Sequence, residues 1–236
     1  MRQLITVIFG LLLSLSSSQG AADTDIAAKF RAELAKLPQT EKNEKVRLVK
    51  EANLLFFLAK EIDNEEQKEK MFESGRDKAL EVLKQDPKNP GALLWSAVND
   101  GGLAEIHKNL AGLRTISRMQ ETMFKLKEID PDYEYAAADR TLAKLYQEAP
   151  GFISIGSSSQ ARKHFLLAVK RFPDYPANQL LYAQFLYDKE EYEEAKKLVE
   201  AMLKGKEMAK HPLYQARWQI DGKETLAKIE AKLKKK

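Results

Sequence analysis

The chain has 236 residues, no cysteine, 39 basic and 35 acidic side chains, and a net charge of +4. Without cysteine it has no disulfide, no thiolate nucleophile, no cysteine metal site and no acceptor for an N-terminal lipid anchor. Its charges are mixed in sign along the chain, which excludes the one-sided basic footprint of a nucleic-acid-binding protein.

Arg2 followed by the apolar run Leu4 to Leu15 and a Ser/Gln stretch reads as a secretory signal over residues 1–20. Twelve apolar residues are too few to span a bilayer, which needs about 20. The expected mature protein is one domain, 21–236, located in the periplasm. Loss of Arg2 leaves 38 basic against 35 acidic residues, a net +3.

Alternating β-branched runs do not occur, and helix signals follow one another. Asp23 or Thr24 can cap a first helix from about Ile26 to Leu37, ended by Pro38. Thr40 followed by Asn43 opens a second, carrying Val46, Val49, Leu54, Phe57 and Leu58 near the 3.6-residue period. Asn64 caps a third, and Pro87 ends it because proline lacks an amide proton and clashes with the preceding turn. Pro90 opens a fourth at a first-turn position, with Asp100-Gly101-Gly102 as its expected stop. A longer helical region from Leu103 to Ile129, broken near Gly112, precedes a helix from Tyr133 to Gln147. Pro150-Gly151 interrupts the pattern. Ser157 to Ser159 cap a helix from Gln160 to Arg171. Tyr175-Pro176 starts the run to Tyr187, Glu190 starts another to Leu203, and a last pair surrounds His211-Pro212 and Asp221-Gly222.

The junctions repeat. Helices stop at Asp86-Pro87, Asp130-Pro131 and Phe172-Pro173, with the prolines 44 and 42 residues apart. That interval marks stacked helical hairpins. Close helix crossings need small side chains, and Ala183 with Ala195, and Ala143 with Ala161, supply them. From Ala161 the frame continues through Phe165, Ala168 and Pro173, the spacing of the second half of a tetratricopeptide repeat. The expected fold is all-α: degenerate tetratricopeptide (TPR)-like hairpins, ten or eleven helices in all, with Gly75 where the earliest repeat should have alanine.

No catalytic constellation is visible. His107, His164 and His211 are 57 and 47 residues apart, so no two share a metal by local spacing. His164 beside Phe165 suits a backbone carbonyl partner. The adjacent glutamates Glu190-Glu191 and Glu193-Glu194 point apart on a helix. No enzyme, cofactor or metal is expected. Aromatics are the better binding candidates: Trp95, Tyr146, Tyr182 and Phe185 lie on first helices of hairpins, where rings can bury an apolar ligand or merely pack helix against helix. Phe152, in the apolar loop Gly151 to Ser159, can cover a cavity mouth. Arg140 among alanines can clamp a carboxylate or form a salt bridge. The lysines from Lys228 to Lys236 suit a helix C-terminus.

One order of motifs is more specific. Ala92-Leu93-Leu94-Trp95-Ser96-Ala97 is followed by Ile129-Asp130-Pro131-Asp132-Tyr133. Ala138-Asp139-Arg140-Thr141-Leu142-Ala143-Lys144-Leu145-Tyr146 then runs into Ala149-Pro150-Gly151, and Phe172-Pro173-Asp174-Tyr175 closes the set. This resembles the TatT family, TPR-like periplasmic proteins associated with TRAP transporters. The resemblance implies hairpins around a pore or groove, association with a transporter solute-binding protein, and handling of a hydrophobic or carboxylate small molecule. It departs from the family's lipid-anchored members in having no cysteine. Rival readings are a peptide-binding scaffold for envelope assembly and a helical enzyme with dispersed carboxylates. Oligomeric state, a homo-oligomer included, is open.

Overall fold

The computed structural model describes residues 20–107, 110–151 and 154–235, apart from the side chains of 20–24 and 110–113. All of the expected signal segment except Gly20, and Phe152, lie outside the described residues. Among the described residues ten α-helices follow in chain order: α1 Gly20–Thr40, α2 Glu44–Lys60, α3 Glu65–Gln85, α4 Pro90–His107, α5 Leu110–Ile129, α6 Tyr133–Glu148, α7 Ser158–Arg171, α8 Pro176–Asp188, α9 Tyr192–Lys204 and α10 Pro212–Leu233. A short 3-10 helix, Glu207–Lys210, precedes the last. No strand occurs among the described residues, so the all-α expectation holds. These residues gather in two compact units, 1–133 with 148–156 and 134–147 with 157–236.

The first unit joins α1 to α5 as antiparallel neighbours, α2 on α3, α3 on α4 and α4 on α5. The expected caps at the start of α3 and α4 are present. Asn64 Oδ1 accepts from the Gln67 amide at 2.8 Å, and Pro90 opens α4 where its missing proton costs nothing. The start of α2 differs: Asn43 is the cap, accepting from Val46 N, while Thr40 lies in α1 with its hydroxyl donating to Lys36 O. Pro38 does not end α1. It falls in the last turn, where few hydrogen bonds remain to lose, and Glu41 N still reaches Leu37 O at 2.9 Å. Nor does Gly101-Gly102 end α4, which continues to His107. Gly102 lies against the Phe72 ring, which a Cβ there would meet at 2.6 Å, so this glycine serves close helix approach. α5 likewise passes Gly112 unbroken.

Aromatic packing fills this unit. Phe30 stacks on Phe57 at 5.7 Å, and Phe56 and Phe57 both meet Trp95, at 6.0 and 5.8 Å. Each buried ring of this size contributes roughly 1.5–3 kcal/mol. Asn99, fully buried, pins the core: its Nδ2 donates to Ala52 O on α2 and to Trp95 O on its own helix. Its Oδ1 stands over Gly75 of α3, where a Cβ would approach it to 2.5 Å. The first repeat lacks its alanine because a buried asparagine occupies the space a methyl group would need.

The second unit carries the alanine frame as expected. Ala143, Ala161, Ala168, Ala183 and Ala195 are wholly buried, as are Phe165 and Phe185 between them. Ser157 caps α7, accepting from Gln160 N. Glu190 does not begin α9. It lies at φ 61°, with Glu190 N bonded to Tyr187 O and Glu191 N to Leu186 O, which is the Schellman ending of α8 with a glutamate in the position glycine usually takes. Nor is the last segment two helices: α10 runs straight through Gly222, which lets the helix pass over Met202 of α9. Tyr175, Leu180, Met202, Met208 and Trp218 form the core beneath it.

Candidate functional site

Three polar features of the second unit differ in what they leave open. The first is a buried pair. His164 Nδ1 and Asp139 Oδ1 are 2.7 Å apart, joining α7 to α6, with side-chain exposures of 5% and 1%. The sequence suggested a backbone carbonyl for His164; its partner is the Asp139 carboxylate. Tyr146 stacks on the imidazole at 5.5 Å and seals the pair from water, so it joins helices and offers nothing to a substrate.

The second feature surrounds Arg140. Glu134, Tyr135 and Ala136 occupy the left-handed region, with φ of 48°, 59° and 62°. Such residues cost roughly 1–2 kcal/mol each and turn their carbonyls away from the helix ladder. Arg140 answers two of them, Nη1 donating to Tyr135 O and Nη2 to Glu134 O, both at 3.2 Å. Nη1 also donates to Asn178 Oδ1 at 2.8 Å, and Asn178 Nδ2 returns to Tyr135 O. The guanidinium lies 5.2 Å from the centre of the Tyr175 ring. Burial pulls its pKa down, yet arginine stays a cation in proteins. The residue expected to clamp a carboxylate has these donors turned to its own chain.

The third feature is open. Along α7, Ala161, Phe165 and Ala168 face inward, and helical periodicity puts Arg162, Lys163, Leu166, Leu167 and Lys170 on the opposite face. Leu166 is 47% exposed. Phe185 and Lys189, from the end of α8, form the other wall of a groove of about 570 Å³, with Ser158 and Ser159 at its end. Arg162 crosses this groove. Its Nη1 donates to Glu191 Oε2 at 2.9 Å, its Nη2 bonds Glu191 Oε1, and its guanidinium lies 5.2 Å from the Phe185 ring centre. The hydrogen bonds from Arg162 hold the Glu191 carboxyl below its usual range, and the same contact raises Arg162. Lys189 approaches the same ring at 5.6 Å. Lys163 and Lys170 have no ion-pair partner among the described residues. The groove therefore presents cations around an apolar floor.

The binding candidates are dispersed by this arrangement. Tyr182 and Phe185 come together, ring centres 6.3 Å apart, and burial raises the Tyr182 phenol. Phe185 lines the groove but is covered by the two cations above it. Tyr146 is engaged by His164, Arg140 by the left-handed turn, and Trp95 by the core of the first unit. Sequence reading missed Arg162, Lys163, Leu166, Lys170 and Lys189. The available signal was Leu166, an apolar residue out of phase with the Ala161-Phe165-Ala168 stripe. Among the described residues no group of histidines and carboxylates is placed to hold a metal, and no helix is long and apolar enough to cross a membrane.

No protein-family model and no curated protein matches the sequence. Among solved structures, that of a thermophilic TPR protein of Thermus thermophilus is similar, with a TM-score of 0.53 and 14% identity, covering 86% of this chain and 91% of that one. Taken with the buried alanine frame, the likeness shows the fold: this chain is an all-α, TPR-like helical repeat.

Proposed function

We propose that the chain is a non-enzymatic adaptor that holds a partner protein, working in the periplasm beside the solute-binding subunit of a TRAP-type transporter. A TPR-like repeat is a fold suited to protein interaction, because stacked hairpins display extended surfaces. The observation that carries the adaptor reading is the α7 groove, where unpaired lysines flank an exposed leucine on the face opposite the buried stripe. The periplasmic part rests on the apolar run Leu4 to Leu15, and the transporter part on the motif order from Trp95 to Tyr175.

A photo-crosslinking residue placed at Leu166, and separately at the exposed Leu80 of the first unit, tests this in the native envelope. The expected product at one of these positions is a conjugate with a transporter solute-binding subunit, on a chain whose N-terminus has been cut near Ala21. A chain retained uncut in the cytoplasm removes the periplasmic part. Conjugates only with unrelated proteins remove the transporter part, and no conjugate at either position removes the adaptor reading.

A recess of this volume with cations over an apolar floor also favours a second reading, an apolar or carboxylate solute. Mass spectrometry of an organic extract of the native protein tests it; an empty extract counts against it.

A further inference from the structure

We infer that the α7 groove receives a helical segment of a partner protein in which leucine-type residues lie between two acidic residues about two turns apart. This deepens the adaptor reading and rests on it. The argument is one of charge and spacing. Lys163 and Lys170 stand seven residues apart on α7, which is two turns or about 10.5 Å. Leu166 and Leu167 fill the interval, with Leu166 open to solvent. Arg162 is occupied by Glu191, which leaves Lys163, Lys170 and the nearby Lys189 as the cations available to a ligand. A helix laid along α7 repeats the same pitch, so acids at positions i and i+7 reach the two lysines while residues i+3 and i+4 cover the leucines. The match needs no disordered segment to fold into an unusual shape, only an amphipathic helix with apolar and acidic positions in one stripe.

Two other occupants fit less well. A membrane surface needs a broad apolar face, and here a single leucine side chain is strongly exposed, within a recess walled by Phe185 and Lys189. A second copy of the chain would have to present acids on either side of an exposed apolar residue. Its densest acidic run, Glu190 to Glu194, has the buried Tyr192 between the acids. On α5, Glu121 and Glu128 do flank the exposed Phe124, but the exposed Lys125 takes the second apolar place of that stripe and would set a cation against the cations of the groove.

The test uses the full mature chain and a synthetic helical peptide bearing Glu-x-x-Leu-Leu-x-x-Glu on one face, followed by fluorescence anisotropy. The acidic peptide should bind, and binding should weaken as salt rises. Replacing both glutamates by glutamine should weaken it roughly tenfold or more, as should Lys163→Glu with Lys170→Glu in the protein. Leu166→Gln, at an exposed position that does not endanger the fold, should weaken it several-fold. A salt-insensitive interaction, equal binding of the glutamine peptide, or indifference to Leu166→Gln overturns the inference. So does binding of phosphatidylglycerol vesicles that the same substitutions abolish while the peptide fails to compete, which would assign the groove to a membrane. Self-association detected by sedimentation and lost in Leu166→Gln, with no peptide binding, overturns it in favour of a second copy. Conjugates trapped at Leu80 together with a groove indifferent to the peptide would leave the adaptor reading standing and remove this one.

Discussion

Glu190 is a glutamate in a glycine's position. It closes α8 in the left-handed region, where a Cβ crowds the following carbonyl, and its side chain is exposed. Glu190→Gly should therefore stabilise the protein by about 0.5–1 kcal/mol, read as a rise in the urea midpoint with an unchanged slope. Gly75 is the opposite case. Alanine there gains helix propensity of roughly 1 kcal/mol but displaces Asn99 from its bonds to Ala52 O and Trp95 O. The second effect is larger, since a buried amide left unsatisfied costs about 1–3 kcal/mol for each lost partner. Gly75→Ala should destabilise by about 1–3 kcal/mol, and much less in an Asn99→Ala background. A double-mutant cycle in denaturant measures that coupling; simple additivity of the two substitutions would contradict the assignment.

The helix α7 has two faces with separate tasks. Its inward face packs Ala161, Phe165 and Ala168 and carries the buried His164 that joins α6 through Asp139. Its outer face carries Arg162, whose hydrogen bonds hold the Glu191 carboxyl below the ordinary value of 4.5. A lowered folded-state pKa means the contribution is present above that ordinary value and is lost as pH falls through the lowered one. The wild-type advantage over Glu191→Gln should thus be full at pH 7 and gone at strongly acidic pH. Both partners are more than one-third exposed, so it should not exceed about 1 kcal/mol. Denaturant midpoints of both proteins at pH 7 and in acid check this; an advantage that grows on acidification would refute the sign. The helix start is a separate contribution. Ser157→Ala removes the oxygen that accepts from Gln160 N and should cost about 1 kcal/mol in the same assay.

The chain has two tryptophans, and each compact unit holds one: Trp95 in the first and Trp218 in the second. Phenylalanine at one position leaves the other as a private reporter of its own unit. Phe165 is wholly buried in the second unit, and its truncation to alanine should cost about 3–5 kcal/mol there. In repeat proteins such losses are felt most in the unit that suffers them. The Trp218 transition in a Trp95→Phe background should move to lower denaturant by more than the Trp95 transition does in a Trp218→Phe background. Equal movement of both would mean that the chain unfolds as one cooperative body.

How much of this was legible beforehand depended on range. Caps such as Asn64 and Ser157, the proline junctions and the Ala143, Ala161, Ala168, Ala183 and Ala195 frame are local or periodic signals. A helix end is set by the few residues that satisfy its open amides, and a hairpin repeat by small side chains at a fixed interval. Those could be read in one dimension, and with them the all-α TPR-like class. The glycines misled because a glycine within a helix can mean a stop or a close neighbour, and only the facing residue, Phe72 for Gly102 or Met202 for Gly222, distinguishes the two. Binding residues were harder still. Trp95, Arg140 and Tyr146 have the chemistry to hold a ligand, but the groups that claimed them lie on other turns and other helices. The groove arose the same way, from the outer face of α7 meeting the end of α8. The order of amino acids decided which segments would be helical and which faces apolar; which polar and aromatic groups stayed free was decided by the packing, because that depends on neighbours distant in the chain.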